Sequence, residues 1–262
     1  MATTIFTPSM LRGAGTRGVP EMPAGSSFTN TYSCNFDGAD DYIEIYNGAE
    51  GSGPILFTAS DDFSFSVWVR TSSTAAQNQI ISFRGTALIW FYTFMTGANR
   101  RFKMYLRDDS GNTEDILSYN NSNGWITDDA WTHLVFTRNG TTKDMNLYMN
   151  GASAQATKSD TTSDDFTAYD KFTVANDEYS GGRYEFTGNI DELSVWGKQL
   201  SSAEVAALYN SGTPTDLAGE AGLTNWWRMG DGATYPTIPD AAGSSAGTMT
   251  NMSSGDIENV VP

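Results

Sequence analysis

Phe63, Phe65, Val67 and Val69 alternate with Ser64, Ser66, Trp68 and Arg70. Strict alternation over eight residues predicts a β-strand that buries one set of side chains and turns the other away. Similar runs occupy residues 79–83, 87–94, 102–107, 131–138, 144–149 and 171–175, and a long one 183–196. The clusters between them are turn formers: Arg138-Asn139-Gly140, Met149-Asn150-Gly151, Asp109-Ser110-Gly111-Asn112 and Ser180-Gly181-Gly182. Short strands with this punctuation predict an antiparallel sandwich or barrel. One helix interrupts them near residues 201–210. Ser201 precedes Glu204 at capping-box spacing, Val205, Leu208 and Tyr209 form the apolar stripe, and Asn210 to Gly212 ends it.

The chain of 262 residues is long enough for one large all-β core. Its pattern divides it into an N-terminal arm over residues 1–30, a sandwich over 31–229 and a C-terminal tail over 230–262. Arg12, Arg17 and Glu21 are the arm's only side-chain charges, whereas the whole chain carries -16. The arm is read either as a disordered terminus or as a segment that orders against a partner subunit. So acidic a surface leaves no basic patch for phosphates and repels an anionic bilayer, so neither nucleic acid nor membrane insertion is expected. No apolar run approaches the roughly 18 residues of a membrane span. Cys34 is the sole cysteine, which excludes an internal disulfide. Residues 1–30 lack the apolar core of a signal peptide, so synthesis in a cytoplasm is expected.

Four segments together carry a resemblance. Phe36-Asp37-Gly38 with Asp41-Tyr42-Ile43 resembles the opening strand of the laminin-G-like, concanavalin A-like superfamily. Residues 63–69 are similar to its next diagnostic strand. Trp131 to Thr137 followed by Asn146 to Gly151 resembles its central hairpin. Gly188 to Trp196, with Leu200-Ser201 and the helix, resembles its closing strand and helix. The resemblance covers about residues 32–212 and implies an all-β fold, an antiparallel two-sheet jelly-roll sandwich with one short helix. That fold hosts lectins, adhesion modules and hydrolases alike, so function must be read from sites. A second resemblance lies in Asn225-Trp226-Trp227-Arg228-Met229-Gly230-Asp231, Ile238-Pro239-Asp240 and residues 247–252 and 256–257, which look like the ending of laminin-G-like proteins of marine tailed phages. It implies a virion structural protein: a capsid decoration, fibre or tail appendage on the virion surface. Its expected partners are other virion proteins, further copies of the chain as a homo-oligomer, and cell-surface glycans. The alternative is a calcium-dependent, carbohydrate-binding lectin outside a virion.

The superfamily resemblance implies a calcium ion joining the first strand to the closing one, and it places Asp37 and Asp191 in the matching motifs. Turn capping is their plainer role. The pairs Asp40-Asp41, Asp61-Asp62, Asp108-Asp109, Asp128-Asp129 and Asp164-Asp165 fall at expected turns or strand ends, where carboxylates accept local backbone N–H bonds. For a sugar, Tyr119, Asn121, Asn123 and Trp125 form an amide-rich loop bracketed by aromatics, suited to stacking on a pyranose and bonding its hydroxyls. The run Trp90, Phe91, Tyr92 and Phe94 suits the same task, or the core. No enzyme is expected. Glycosidases of this fold alternate carboxylates on one strand, yet position 189 is Asn and 193 is Leu, and the adjacent Asp191 and Glu192 should face opposite sides. His133, the sole histidine, reads as a hydrogen-bonded residue at the sheet surface, and Cys34 as a small buried one.

Overall fold

A computed structural model describes residues 28–118, 126–179 and 182–262, with the backbone alone at 178, 179, 182 and 183. Two eight-stranded antiparallel sheets face each other. From edge to edge the first contains β10 (Ala156–Ser159), β9 (Asp144–Met149), β8 (Thr132–Arg138), β3 (Phe63–Arg70), β14 (Thr187–Trp196), β1 (Ser33–Asp37) and β18 (Ile257–Glu258). A further strand, β15 (Leu223–Trp227), also pairs with β14. The second contains β16 (Thr237–Ile238), β17 (Gly247–Thr250), β2 (Tyr42–Asn47), β11 (Tyr169–Val174), β4 (Asn78–Gly85), β5 (Leu88–Thr96), β6 (Asn99–Arg107) and β7 (Thr113–Leu117). A small hairpin, β12 (Asn176–Tyr179) with β13 (Gly182–Glu185), follows β11. Among the described residues the one α-helix is α1 (Ser202–Tyr209). The architecture is the expected two-sheet sandwich.

The alternation in β3 fills the space between the sheets. Phe63, Phe65, Val67 and Val69 are fully buried there. Phe63 stacks on Phe57 at 4.2 Å, and from the other sheet Phe83 stacks on Phe172 at 4.0 Å. Strand content runs past Met229. Residues 247–250 extend the second sheet beside β2, and Ile257–Glu258 extends the first beside β1, so residues 230–262 lie along the body and close both sheets.

Helix α1 is capped as its sequence predicts. Glu204 N donates to Ser201 Oγ at 3.3 Å, Ser201 N donates to Glu204 Oε2 at 2.8 Å, and Asn210 ends the helix at φ 43°. The helix and the segment after it cover the outer face of the first sheet. Val135, Tyr148, Trp196, Leu200, Val205, Leu217 and Trp226 form a second apolar cluster there, with Phe28 packed against it. This layer explains why Ser64 and Ser66, the outward residues of β3, are also buried.

Candidate functional site

The sugar-binding loop expected from the sequence, with Tyr119, Asn121, Asn123 and Trp125, lies outside the described residues. The expected metal pair is described, and the sheet register corrects it. Asp37 sits opposite Thr187 and Cys34 opposite Ile190. Asp191 is therefore four residues along β14 from the partner of Asp37, about 13 Å away. Asp37 gathers other acids. One carboxylate oxygen each from Asp37, Asp40 and Asp41 lies within 4.8 Å of the others. The tight turn after β1 brings them together: Asp41 accepts the Asp37 N–H at 3.1 Å, and Asp37 accepts that of Ala39 at 2.8 Å. Burial, with its acidic neighbours adding to the effect, raises the Asp41 carboxyl above its ordinary range. A hard cation would relieve that strain, and three carboxylates with water suit one. Asp37, Asp40 and Asp41 thus fit a cation, whereas Asp37 with Asp191 do not.

Asp191 belongs to a closed acidic cluster on the first sheet. A bulge interrupts the pairing of β14 with β3 between Asp191 and Ser194, and Glu192 adopts φ 48°. The bulge defeats strict alternation, so both carboxyls enter one buried neighbourhood instead of opposite faces. Asn30 Nδ2 donates to Asp191 Oδ2 at 2.8 Å. Trp226 Nε1 donates to Glu192 Oε2 at 2.5 Å, and Arg228 Nε to Glu192 Oε1 at 3.2 Å. Burial raises Asp191 well above the usual carboxylate range and lifts Glu192 to about 7 despite its Arg228 partner. Phe28 lies over Arg228, 4.5 Å from ring centroid to guanidinium carbon, and stacks on Trp226 at 6.2 Å.

His133 is beneath a cover too, and not at the surface. It is 1% exposed, packs against the tilted Trp68 ring at 4.9 Å, stacks on Tyr209 at 6.2 Å, and shares a 2.8 Å hydrogen bond with Ser66 Oγ through Nε2. Desolvation lowers it to about 3, so it stays neutral near pH 7. Cys34 is fully buried and its thiol is pushed up by burial, which leaves no thiolate nucleophile.

The outer face of the second sheet is different. Strand pairing aligns one row across it: Thr248, Glu44, Thr173, Ser82, Trp90, Tyr105 and Asp115. The aromatic run of the sequence splits as alternation demands. Phe91 enters the core, while Trp90, Tyr92 and Phe94 remain half-buried on this face. Tyr105 stacks on Trp90 at 5.1 Å, and the Arg84 guanidinium carbon lies 5.2 Å from the same indole. Arg84 is fixed by the buried Asp177 at the start of the hairpin, through bonds of 2.8 and 3.0 Å, and Ser82 Oγ bonds Asp177 at 2.7 Å. A small cleft with about 20 Å³ of free space, room for little more than a water molecule, opens beside them, with Tyr42, Glu44, Lys171, Thr173 and Asn176 in its walls. Two buried polar atoms here have no hydrogen-bond partner: Trp90 Nε1, a donor, and Asn176 Oδ1, an acceptor. Alternation in 87–94 foretold the aromatics. The row needed the register, and Asp177 needed the hairpin.

No curated protein matches the sequence significantly. Among solved structures, the chain is similar to a candidate carbohydrate-binding protein from Bacteroides ovatus, at 17% identity and TM-score 0.64, over 89% of this chain. It spans 61% of that protein's length. It is also similar to the heptameric SAP-like pentraxin of Limulus polyphemus, at 13% identity and TM-score 0.52, over 84% of this chain and 95% of the pentraxin. A third likeness is the CBM40 of the Ruminococcus gnavus IT-sialidase, solved with alpha2,3 sialyllactose, at 17% identity and TM-score 0.53, over 68% of this chain and 95% of that one. At these identities the likeness concerns the fold. Residues 36–206, more than half of the chain, match the pattern of the concanavalin A-like lectin/glucanases superfamily, and the chain belongs to that superfamily.

Proposed function

We propose that the protein is a non-catalytic glycan-binding module that uses the outer face of its second sheet. One observation carries this reading: the half-buried Trp90–Tyr105 stack on an open sheet face, with the Trp90 indole N–H unpartnered and, in a small cleft nearby, the Asn176 amide oxygen unpartnered as well. Aromatic surface covers the apolar side of a sugar ring, and unpaired amide and indole groups take its hydroxyls. The carbohydrate-binding descriptions of the Bacteroides and Ruminococcus proteins agree with it. A binding role rather than a hydrolytic one is supported by the acids. Asp177 is engaged by Ser82 and Arg84, and Asp191 and Glu192 are sealed within the first sheet's outer layer.

Calcium at Asp37, Asp40 and Asp41 is part of the same proposal, as a brace for the turn between β1 and β2. The virion setting rests on the tail's resemblance to marine phage proteins, with neighbouring virion proteins and further copies of the chain as partners. A glycan array with the recombinant protein, with and without calcium, tests the binding. A blank array in both conditions overturns it. Mass spectrometry of purified particles tests the setting, and absence of the chain from them overturns that.

A further inference from the structure

Among the described residues three arginines are buried: Arg100, Arg101 and Arg138. Arg138 donates to Asp160 at 2.6 Å and to the carbonyls of Asp61 and Ala59 at 2.8 and 2.9 Å. Arg100 bonds the carbonyls of Ser73 and Thr71 and pairs with Asp128. Arg101, the next residue of β6, has no such arrangement. It is 7% exposed, its Nε is buried without a hydrogen-bond partner, and no carboxylate among the described residues pairs with it. Its guanidinium carbon lies 5.7 Å from the ring centroid of Phe94, its cross-strand neighbour.

A cation held out of water without a counter-charge is unfavourable, and an aromatic face offsets only part of that. Carboxylates are not scarce in a chain of net charge -16. Two other cations of this face have theirs, Lys103 with Asp115 and Arg84 with Asp177, and Arg107 bonds the carbonyls of Gly85 and Thr86. Desolvation also lowers the Arg101 pKa, the signature of a charge left uncompensated. Alternation along β6 sends Arg100 into the end of the sandwich and Arg101 to the outer face, on the side of Lys103 and Tyr105. Arg101 stands four residues, about 13 Å, from the Tyr105 ring position. A planar guanidinium backed by a ring matches a carboxylate or a sulfate through two parallel N–H bonds.

We propose that Arg101, backed by Phe94, is an anion subsite at one end of the glycan-binding face and receives the carboxylate or sulfate ester of an acidic sugar. The proposal deepens the glycan-binding reading and rests on it. An acidic sugar at Arg101 and a neutral ring at Tyr105 are two positions on one extended glycan.

The test is titration of the full chain with glucuronate, glucose 6-sulfate and glucose, followed by calorimetry and by the NMR signal of the Arg101 Nε–H. The expected result is binding of at least one acidic probe on the order of tenfold tighter than glucose, since a charge-assisted bond contributes about that factor. The Nε–H signal should move with it, and comparing glucuronate with the sulfate tells which anion is preferred. R101Q should erase the preference, R101K should restore part of it, and a melting curve of each variant confirms folding. Glucose or neutral glycans binding while both acidic probes leave the Nε–H unmoved overturns the subsite and leaves the glycan-binding face standing. A moving Nε–H with no neutral glycan bound upholds the subsite and overturns the wider face. No response to any probe overturns both.

Discussion

Trp226 and Tyr105 are both aromatic residues on outer faces, one on each sheet, and their surroundings have little in common. Trp226 is 3% exposed, its indole N–H is taken by Glu192, and Phe28 and Arg228 stack against it. Tyr105 remains half-buried on an aromatic row beside unpaired polar atoms. The first sheet spends its outer face on a second core under α1 and residues 28–32. Among the described residues the second sheet carries no comparable apolar layer. If the second face binds glycans as proposed, the two faces of one sandwich divide stability from recognition, and substitutions on each should separate the two properties.

The largest effect belongs to the covered face. Trp226→Ala should lower the unfolding free energy by about 3 to 5 kcal/mol, through the lost volume and the lost indole donor to Glu192 Oε2, which keeps only Arg228 on its other oxygen. Urea denaturation measures this, and glycan affinity of the folded fraction should be unchanged. If Trp226→Ala is nearly neutral, the covered face is not a core.

Next comes pH. Glu192 is raised in the folded state, to about 7, so between its unfolded value and 7 the native protein holds a proton the unfolded chain releases. Stability should therefore rise as pH falls through 7 toward 5, by about 1 to 3 kcal/mol, and fall as pH rises. Asp191, also raised, acts in the same direction. Asp108 and Glu114, which are lowered, act oppositely but only in more acidic solution. Melting temperatures from pH 5 to 8 should show the slope, and Glu192→Gln should flatten it.

On the open face, Tyr105→Ala should weaken glycan binding on the order of tenfold, while costing below about 1.5 kcal/mol of stability because the ring is already half-solvated. Calorimetry with an array-selected glycan, beside a denaturation curve, reads both. Equal losses of stability at Tyr105 and Trp226 would erase the contrast between the faces. The smallest effect is expected at the turn after β1. Calcium at a few times its Kd should raise the melting point by a few degrees, about 1 kcal/mol by mass action. Asp40→Asn should abolish that shift without touching either face.

Much of this was visible in the chain itself. Alternation in β3, turn clusters between strands and the Ser201–Glu204 box announced sandwich and helix, because these signals are local. Asp37 with Asp191 failed because pairing places them four residues out of register, and register is a property of two distant strands. The opposite facing of Asp191 and Glu192 failed because a bulge is one residue of slippage that no period reveals. His133 was expected at a surface, since neither α1 nor Tyr209 declares which sheet it will cover. Trp90 and Tyr92 were legible as candidates, but the orphaned Arg101 was not, because being unpaired is a fact about every neighbour at once.

Strand β1 has a consequence for how the chain is made. Its partners are remote: Ser33 meets Asn189, 156 residues on, and Asn35 meets Glu258, 223 residues on. At roughly 5–20 residues per second of synthesis, β1 waits on the order of ten seconds for its first partner strand. During that interval Cys34 and Phe36, later sealed in the core, and both hydrogen-bonding edges of the strand are open to water. Non-local pairing of this kind also slows folding once all strands exist. Among the described strands β1 leaves the ribosome first and is among the last to be sealed, so misassembly should involve it, and chaperone occupancy on it should peak before residue 196 has been made.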